Sequence, residues 1–348
     1  MRILIVNTQV PFVHGGAEFL ADNLLKSLKK HGHSVEQVKI PFKWYPPQKI
    51  LDQILAVRLM DLTESCAEPI DLIIALKFPA YFVKHPNKVV WLLHQHRQAY
   101  ELWNTEFSDL SALKDGEALR ESIMKADNSF LPEAKKIFTL SKNVSNRLKT
   151  FNKIESTPLY HPPPDFDQIV SGDYENYLFM PSRLEEMKRQ YLAIKAMKFV
   201  KSSVKLIIAG QYDSLSYEKS LKDLVKANSL DSKVQFLGPI SQKEKIKLYS
   251  NCLATIFIPY QEDYGYITLE AFYAKKAVIT CSDSGCPLEF VKDKQTGLVS
   301  EPTPKSIAKA IDFLAGKKQR AMDMGSQAFD LVQQLELSWE KVVEALTT

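Results

Sequence analysis

The stretch Ile258-Pro-Tyr-Gln-Glu-Asp-Tyr-Gly-Tyr-Ile-Thr-Leu-Glu-Ala271 decides how the chain is read. It opens on the end of an apolar run, Leu253 to Pro259, that suits a buried strand. It crosses a polar turn holding Gly265 and continues into a helix that starts near Tyr266 and carries Glu270. A strand feeding a glycine turn that opens a helix is an anion site: the first helical N–H groups lack internal partners, and the helix dipole favours negative charge there. Glu262 and Glu270 flank the turn. Eight helical residues span about 12 Å at ~1.5 Å each. Glycosidase carboxylate pairs stand ~5 Å or ~6.5–9.5 Å apart. The two glutamates therefore do not read as an acid/base pair on one bond. Their spacing suits the two ends of an elongated ligand with an anionic middle, such as a nucleotide diphosphate sugar.

Further residues belong to the same reading. Pro181-Ser-Arg-Leu-Glu-Glu-Met-Lys188 follows a short apolar strand, Tyr177 to Met180. An arginine just past a strand end, with a lysine five residues on, is phosphate-binding chemistry: the guanidinium forks onto two oxygens and the ammonium adds a point charge. Lys205 to Gly210 and Val234 to Gly238 read as strands, and Ala277 to Ser282 as another, followed by Asp283-Ser-Gly-Cys-Pro287 and Glu289. In the first half, the strand Arg2 to Asn7 runs into a loop ending His14-Gly15-Gly16, before a helix from Ala17 to about His31. A second strand spans Gln37 to Phe42, a helix runs from Lys49 to about Glu64, and apolar runs at Asp71 to Leu76 and Val89 to Leu93 suit buried parallel strands. The last of these ends in His94-Gln95-His96-Arg97, at a strand terminus where open α/β sheets hold ligands. No carboxylate at matching spacing accompanies the two histidines, so no metal is expected there. A strand at Lys136 to Leu140 and a helix at Ser141 to Phe151 complete this half.

The Glu262-x7-Glu270 spacing with Tyr-Gly between resembles the signature of the retaining glycosyltransferases of family 4, which have the GT-B fold. Arg183 to Lys188 resembles that family's Gly-Arg-Leu-x-x-x-Lys, with Ser182 in place of glycine, and Pro158 to Asp165 resembles its Asn-Pro-Pro-x-Asp, with His161 in place of asparagine. The resemblance implies an α/β chain of two Rossmann-like domains facing a central cleft. The first, acceptor-side domain spans 1–168 and is joined by the C-terminal helix 331–348. The second, nucleotide-sugar-binding domain spans 174–330. It implies that Glu262 holds donor-sugar hydroxyls, that the amides of Gly265, Tyr266 and Ile267 with Arg183 and Lys188 hold the diphosphate, and that Glu270 binds the ribose. Gly15, Gly16 and Gly210 face the donor, and His94 reaches the sugar near the reaction centre. Gln95 replaces a more usual aspartate, and Arg97 and Tyr100 line the acceptor side. The implied activity is metal-independent transfer, with retention, of a hexosyl group from a UDP- or, second, GDP-linked sugar to a glycan or lipid-linked acceptor in surface polysaccharide or glycolipid synthesis. A non-catalytic accessory subunit of the same fold and a nucleotide-sugar epimerase are the alternatives.

Composition sets the outer limits. A chain of 348 residues is long for one domain and natural for two. Its 45 basic and 41 acidic residues leave a net charge of +4, with no arginine-rich run, which speaks against a nucleic-acid partner and is compatible with attraction to an anionic membrane face. Cys66, Cys252, Cys281 and Cys286 lack zinc-ligand spacing and read as reduced thiols of a cytoplasmic protein. Met1 to Val6 is too short for a signal peptide, and no apolar run approaches the ~18–20 residues of a membrane helix. The loop Lys43-Trp-Tyr-Pro-Pro-Gln48 is either a packed surface turn or a contact with acceptor or membrane.

Overall fold

The computed structural model describes residues 1–13 and 15–348 and divides into two compact units, Met1–Pro164 with Ser338–Thr348, and Asp165–Leu337. In the first unit, β1 (Arg2–Gln9), α1 (Gly16–Lys30), β2 (Ser34–Pro41) and α2 (Lys49–Leu59) are followed by a small antiparallel pair, β3 (Glu64–Ser65) and β4 (Glu68–Pro69). Then come β5 (Leu72–Ala75), β6 (Lys88–Leu92), α3 (Gly116–Phe130), β7 (Lys136–Thr139), α4 (Lys142–Asn152) and β8 (Thr157–Pro158). A six-stranded parallel sheet forms in the order β2-β1-β5-β6-β7-β8. The reversal of strand order falls between β1 and β5. Loops leaving the C-terminal ends of those strands border the crevice in which doubly wound sheets take ligands.

The helix expected over Lys49 to about Glu64 stops five residues early. Met60 is extended, and the Asp61 side chain accepts from the Thr63 amide at 3.0 Å, a local turn that competes with helix. Cys66 and Ala67 then take positive φ at the tip of the β3–β4 pair. The helix after β7 begins as its residues require: the Ser141 hydroxyl accepts from the Val144 amide at 3.2 Å.

The second unit holds β9 (Tyr177–Pro181), α5 (Gln190–Met197), β10 (Lys205–Ala209), α6 (Leu215–Ala227), β11 (Val234–Gly238), α7 (Gln242–Asn251) and β12 (Ala254–Ile256). It continues through α8 (Tyr266–Tyr273), β13 (Val278–Cys281), α9 (Pro287–Phe290), β14 (Gly297–Ser300), α10 (Pro304–Ala315) and α11 (Lys318–Gln334). Its six-stranded parallel sheet is ordered β11-β10-β9-β12-β13-β14, the doubly wound order with its switch point between β9 and β12. Apolar runs such as Leu178–Met180 and Ala277–Ile279 fill the core and are buried on both faces, as a helix-covered parallel sheet requires. The last helix, α12 (Trp339–Thr347), packs on α1 in the first unit, and its Trp339 ring lies 5.4 Å from the buried His161 ring.

Candidate functional site

In the second unit, the Ser182–Arg183 turn leaves β9 at the switch point. Two contacts fix its backbone. Ser182 N–H donates to the Ala209 carbonyl at 3.0 Å, and Leu184 N–H to that of Gln211 at 2.8 Å. Gly210 has φ +154°, and a Cβ there would lie 1.9 Å from the Ser182 carbonyl oxygen, so only glycine lets β10 pass this turn. From the other side the buried Gln190 amide donates to Ser182 Oγ at 2.8 Å and to the Arg183 carbonyl at 2.7 Å. The Arg183 guanidinium is 41% exposed and contacts Asp213 at 3.1 Å and Glu185 at 3.3 Å. Surface pairs of this kind are worth about 0–1 kcal/mol. Exchanging such partners therefore costs little.

Glu186–Lys188 makes one 3₁₀ turn that brings Lys188 back over the end of β12. Its ammonium pairs with the Glu262 carboxylate, both side chains being largely buried. The next residue, Arg189, takes a left-handed conformation at φ 55° and is buried. It donates to the carbonyls of Ile258 at 2.7 Å and Pro259 at 2.8 Å and forks onto Asp283 at 2.8 and 2.6 Å. Backbone bonds continue the stitching: Tyr260 to Met187 at 2.8 Å, Gln261 to Asp283 at 3.0 Å, and Glu262 to Ser284 at 2.9 Å. Glu262 is therefore fixed at backbone and side chain alike. The sequence reading did not single out Arg189 and Asp283, which clamp the strand end that leads to Glu262.

Gly265 caps α8 at φ 80°. A Cβ there would approach Phe257 Cε1 to 2.6 Å and Glu262 Cγ to 3.2 Å, so the glycine lets the helix start directly against Glu262. In the first turn of α8, Thr268 Oγ1 is buried with no hydrogen-bond partner. Glu270 is buried, and its two oxygens accept from Lys245 Nζ and the Tyr249 hydroxyl, each at 2.7 Å. Burial and then the Glu270 charge push both the Tyr249 and Tyr266 hydroxyls well above their usual range, so both stay protonated donors. Both oxygens of Glu270, the residue expected to bind the ribose, are thus already engaged by Lys245 and Tyr249.

In the first unit the equivalent strand ends gather Gly15, Gly16 and His94. The Gly15 amide donates to Glu18 Oε2 at 2.9 Å, and Glu18 Oε1 pairs with Lys77 at 3.0 Å. A carboxylate thus already holds the amide expected to face the donor, and Lys77, just past β5, is the cation beside it. Gly16 is the first residue of α1. The expected glycine turn also includes His14, which lies outside the described residues. The Phe78 amide reaches the His94 carbonyl at 3.4 Å, and His94 Nδ1 lies 2.7 Å from the Gln95 carbonyl.

Gln95 turns inward. Its amide donates to Asp127 at 2.8 Å and to Asn152 at 3.0 Å, and Asp127 also accepts from the hydroxyls of Tyr81 at 2.8 Å and Tyr100 at 2.5 Å. Burial pushes the Asp127 carboxyl up to about 6. The expectation that Tyr100 lines an acceptor surface is corrected. Tyr100 is buried on Asp127, and Arg97 pairs with Glu101, which also holds Arg147 at 3.0 Å. His96 packs on Phe78 with ring centroids 5.2 Å apart, and burial lowers its pKa to about 4, so it is neutral at physiological pH. Among the described residues, no group of three or more His, Cys, Asp or Glu stands ready to hold a metal.

The family model described as Glycosyl transferases group 1 matches residues 163–330, the part that carries Arg183 to Glu270. This part of the chain belongs to that family. Among curated proteins, the chain is similar to Alpha-1,3/1,6-mannosyltransferase ALG2 of Homo sapiens, 31% identical over 176 residues, covering 47% of this chain and 42% of that one. The ALG2 of Dictyostelium discoideum is 35% identical over 173 residues, covering 45% and 41%. The matches thus span about two fifths of the length of these relatives. Solved structures match along the whole chain. Sucrose-phosphate synthase of Thermosynechococcus elongatus has a TM-score of 0.81 at 16% identity, covering 99% of this chain and 97% of that one. Anabaena Alr3699/HepE in complex with UDP and glucose has a TM-score of 0.74 at 16% identity, covering 99% and 98%. The fold is the GT-B fold of two Rossmann-like units that the sequence implied.

Proposed function

We propose that the chain is a retaining, metal-independent glycosyltransferase that moves a sugar from a nucleotide diphosphate sugar to an acceptor hydroxyl. The observation that carries this reading is the second unit's switch point, where the Arg183 turn leaves β9 and the Lys188–Glu262 pair stands against the start of α8. The chemical difficulty of the reaction is negative charge growing on the departing phosphate. Two cations and the N-terminal amides of a helix answer that need without a divalent ion. Glu262, held by Lys188 and by its own backbone bonds, is the group for donor-sugar hydroxyls. Retention follows if the acceptor attacks the face that the phosphate leaves and the phosphate takes its proton. His94 then orients the sugar, and no dedicated protein base is needed.

The relatives named mannosyltransferases favour mannose as the sugar, while the Anabaena neighbour was solved with UDP and glucose, so uridine and guanosine carriers are both tested. The acceptor is a glycan or a lipid-linked sugar, met in the cytoplasm at the inner membrane face. Thermal unfolding with UDP, GDP, ADP and their sugars, with and without EDTA, tests the reading. Saturation at 100 times the dissociation constant adds about 2.7 kcal/mol. The expected result is a shift with one nucleotide series that EDTA leaves unchanged. No shift with any nucleotide rejects the transferase reading, and a shift lost in EDTA rejects metal independence.

A further inference from the structure

The first unit carries an apolar face that its own core does not use. Helix α2 buries Ile50, Ile54 and Val57. Its opposite side presents Leu51, Leu55 and Leu59, 40%, 59% and 74% exposed, in a stripe at four-residue spacing. A helix apolar on two faces is out of place on a surface that meets only water.

The preceding loop extends the stripe. Trp44 and Tyr45 are exposed, with their rings edge to face at 5.3 Å. Gln53 of α2 ties the loop down: its Oε1 accepts from the Lys43 amide at 2.8 Å, and its Nε2 donates to the Lys43 carbonyl and to that of Lys49 at 2.9 Å. Loop and helix are therefore one surface. Phe42 N–H donates to the Gln9 carbonyl at 3.0 Å, which brings the loop after β1, with exposed Phe12 and Val13, to the same end of the sheet.

The charges favour one kind of partner. Between Lys39 and Met60 stand four basic residues, Lys39, Lys43, Lys49 and Arg58, and one acid, Asp52. Lys49 covers that acid at 2.7 Å, and Lys43 Nζ lies over the Tyr45 ring at 4.7 Å. Lys39 lies 3.9 Å from Asp22 and Arg58 is tied inward to Glu133 at 2.7 Å, so the cations at the rim are Lys49, which neutralises the segment's only carboxylate, and Lys43, which rides on the aromatic pair. Tryptophan and tyrosine beside leucines, with lysines at the rim, is the composition of a segment that lies in a bilayer interface.

We infer that Trp44, Tyr45 and the Leu51–Leu55–Leu59 stripe seat the first unit on an anionic lipid surface. Among the described residues no helix is long and apolar enough to cross a membrane, so this is attachment in the plane of the interface. The stripe also adjoins the acceptor-side loop: the Phe42 ring lies 6.5 Å from that of His96. A lipid-linked acceptor would enter beside the surface that holds the protein, and for that purpose alone the inference rests on the proposed activity.

Sedimentation of the full chain with phosphatidylcholine vesicles, and with vesicles that also contain phosphatidylglycerol, tests the seat. The wild type sediments with the anionic vesicles and is released by salt. The combined Leu51→Glu, Leu55→Glu and Leu59→Glu variant loses at least about a hundredfold in partition. Lys43→Gln alone loses about fivefold. Glutamate is a good helix former and the positions are exposed, so thermal unfolding and the donor-induced shift stay at wild-type values. That donor shift separates failure of this inference from failure of the transferase reading. Should the leucine variant unfold, Trp44→Ser with Tyr45→Ser reads the same loss. Three results overturn the inference: a wild type that stays in solution with anionic vesicles, leucine variants that partition like it, or a stripe-dependent dimer that binds no vesicles.

Discussion

Arg183 and Lys188 are five residues apart, and the fold gives them different partners. Arg183 lies at the surface between two acids, whereas Lys188 is tucked onto Glu262. Removing Arg183 leaves no buried charge behind, so Arg183→Ala should cost little stability. Its loss should appear as a fall in turnover of about 10²–10³, the usual worth of one preorganised donor to a growing oxyanion. A loss below threefold would end the role assigned to it. Lys188→Met differs in kind, because the largely buried Glu262 then loses the Lys188 ammonium. It should destabilise the second unit by about 1–3 kcal/mol as well as slow transfer, measured by urea unfolding beside initial rates. These two residues could be singled out in the sequence because strand, turn and spacing suit phosphate chemistry. Arg189 and Lys77 could not. A second basic residue after Lys188 looks like solvent-facing charge, and only the long-range contacts with Ile258, Pro259 and Asp283 reveal its work. The role of Gln95 was left open by the sequence: it follows His94 at a strand end yet points into the core.

At the scale of elements, the site depends on two turns that tolerate no side chain. Gly265→Ala would force a left-handed alanine whose methyl meets the Phe257 ring at 2.6 Å. Backbone strain alone is about 1–2 kcal/mol, and the ring must also move, which shifts the start of α8 away from Glu262. The expected outcome is a lower unfolding midpoint together with weaker donor binding by calorimetry; unchanged affinity would separate the helix start from the donor. Arg189 offers a cleaner dissection. Its φ of 55° suits glycine, so Arg189→Gly relieves the backbone while deleting the clamp on Ile258, Pro259 and Asp283. Two buried carbonyls then lose their donors, at about 1–3 kcal/mol each. A variant as stable as the wild type would show that the clamp is idle. The strands and most helices were readable from apolar runs and caps. The α2 terminus was not, because its apolar pattern runs on past Leu59 while the Asp61 turn ends the helix.

For the molecule as a whole, the two units carry different titrating groups. All seven histidines and all four tryptophans lie within Met1–Pro164 or Ser338–Thr348, so acid should act on the first unit, and tryptophan fluorescence should report that unit alone. Burial lowers His161 to about 3 and His96 to about 4, from 6.5. A group whose folded pKa lies below its unfolded value binds its proton first in the unfolded chain, so stability falls as pH drops through 6.5. At pH 5 each histidine costs up to about 2 kcal/mol relative to pH 7, the half-buried His96 less than the buried His161. Asp127 works in the opposite sense. Its carboxyl is raised to about 6 from 3.8, so the folded state gains a proton before the unfolded one and regains about 1 kcal/mol between pH 7 and 5. The net expectation is a loss of about 2 kcal/mol by pH 5, confined to the first unit. Urea unfolding followed by tryptophan emission should show it as a midpoint that falls between pH 7 and pH 5. His96→Phe, which keeps an aromatic ring between Phe42 and Phe78, should flatten that dependence. A midpoint that does not move over this range would mean that neither histidine is held neutral by the fold, and the packing of His161 against Trp91 and Trp339 would then need another account.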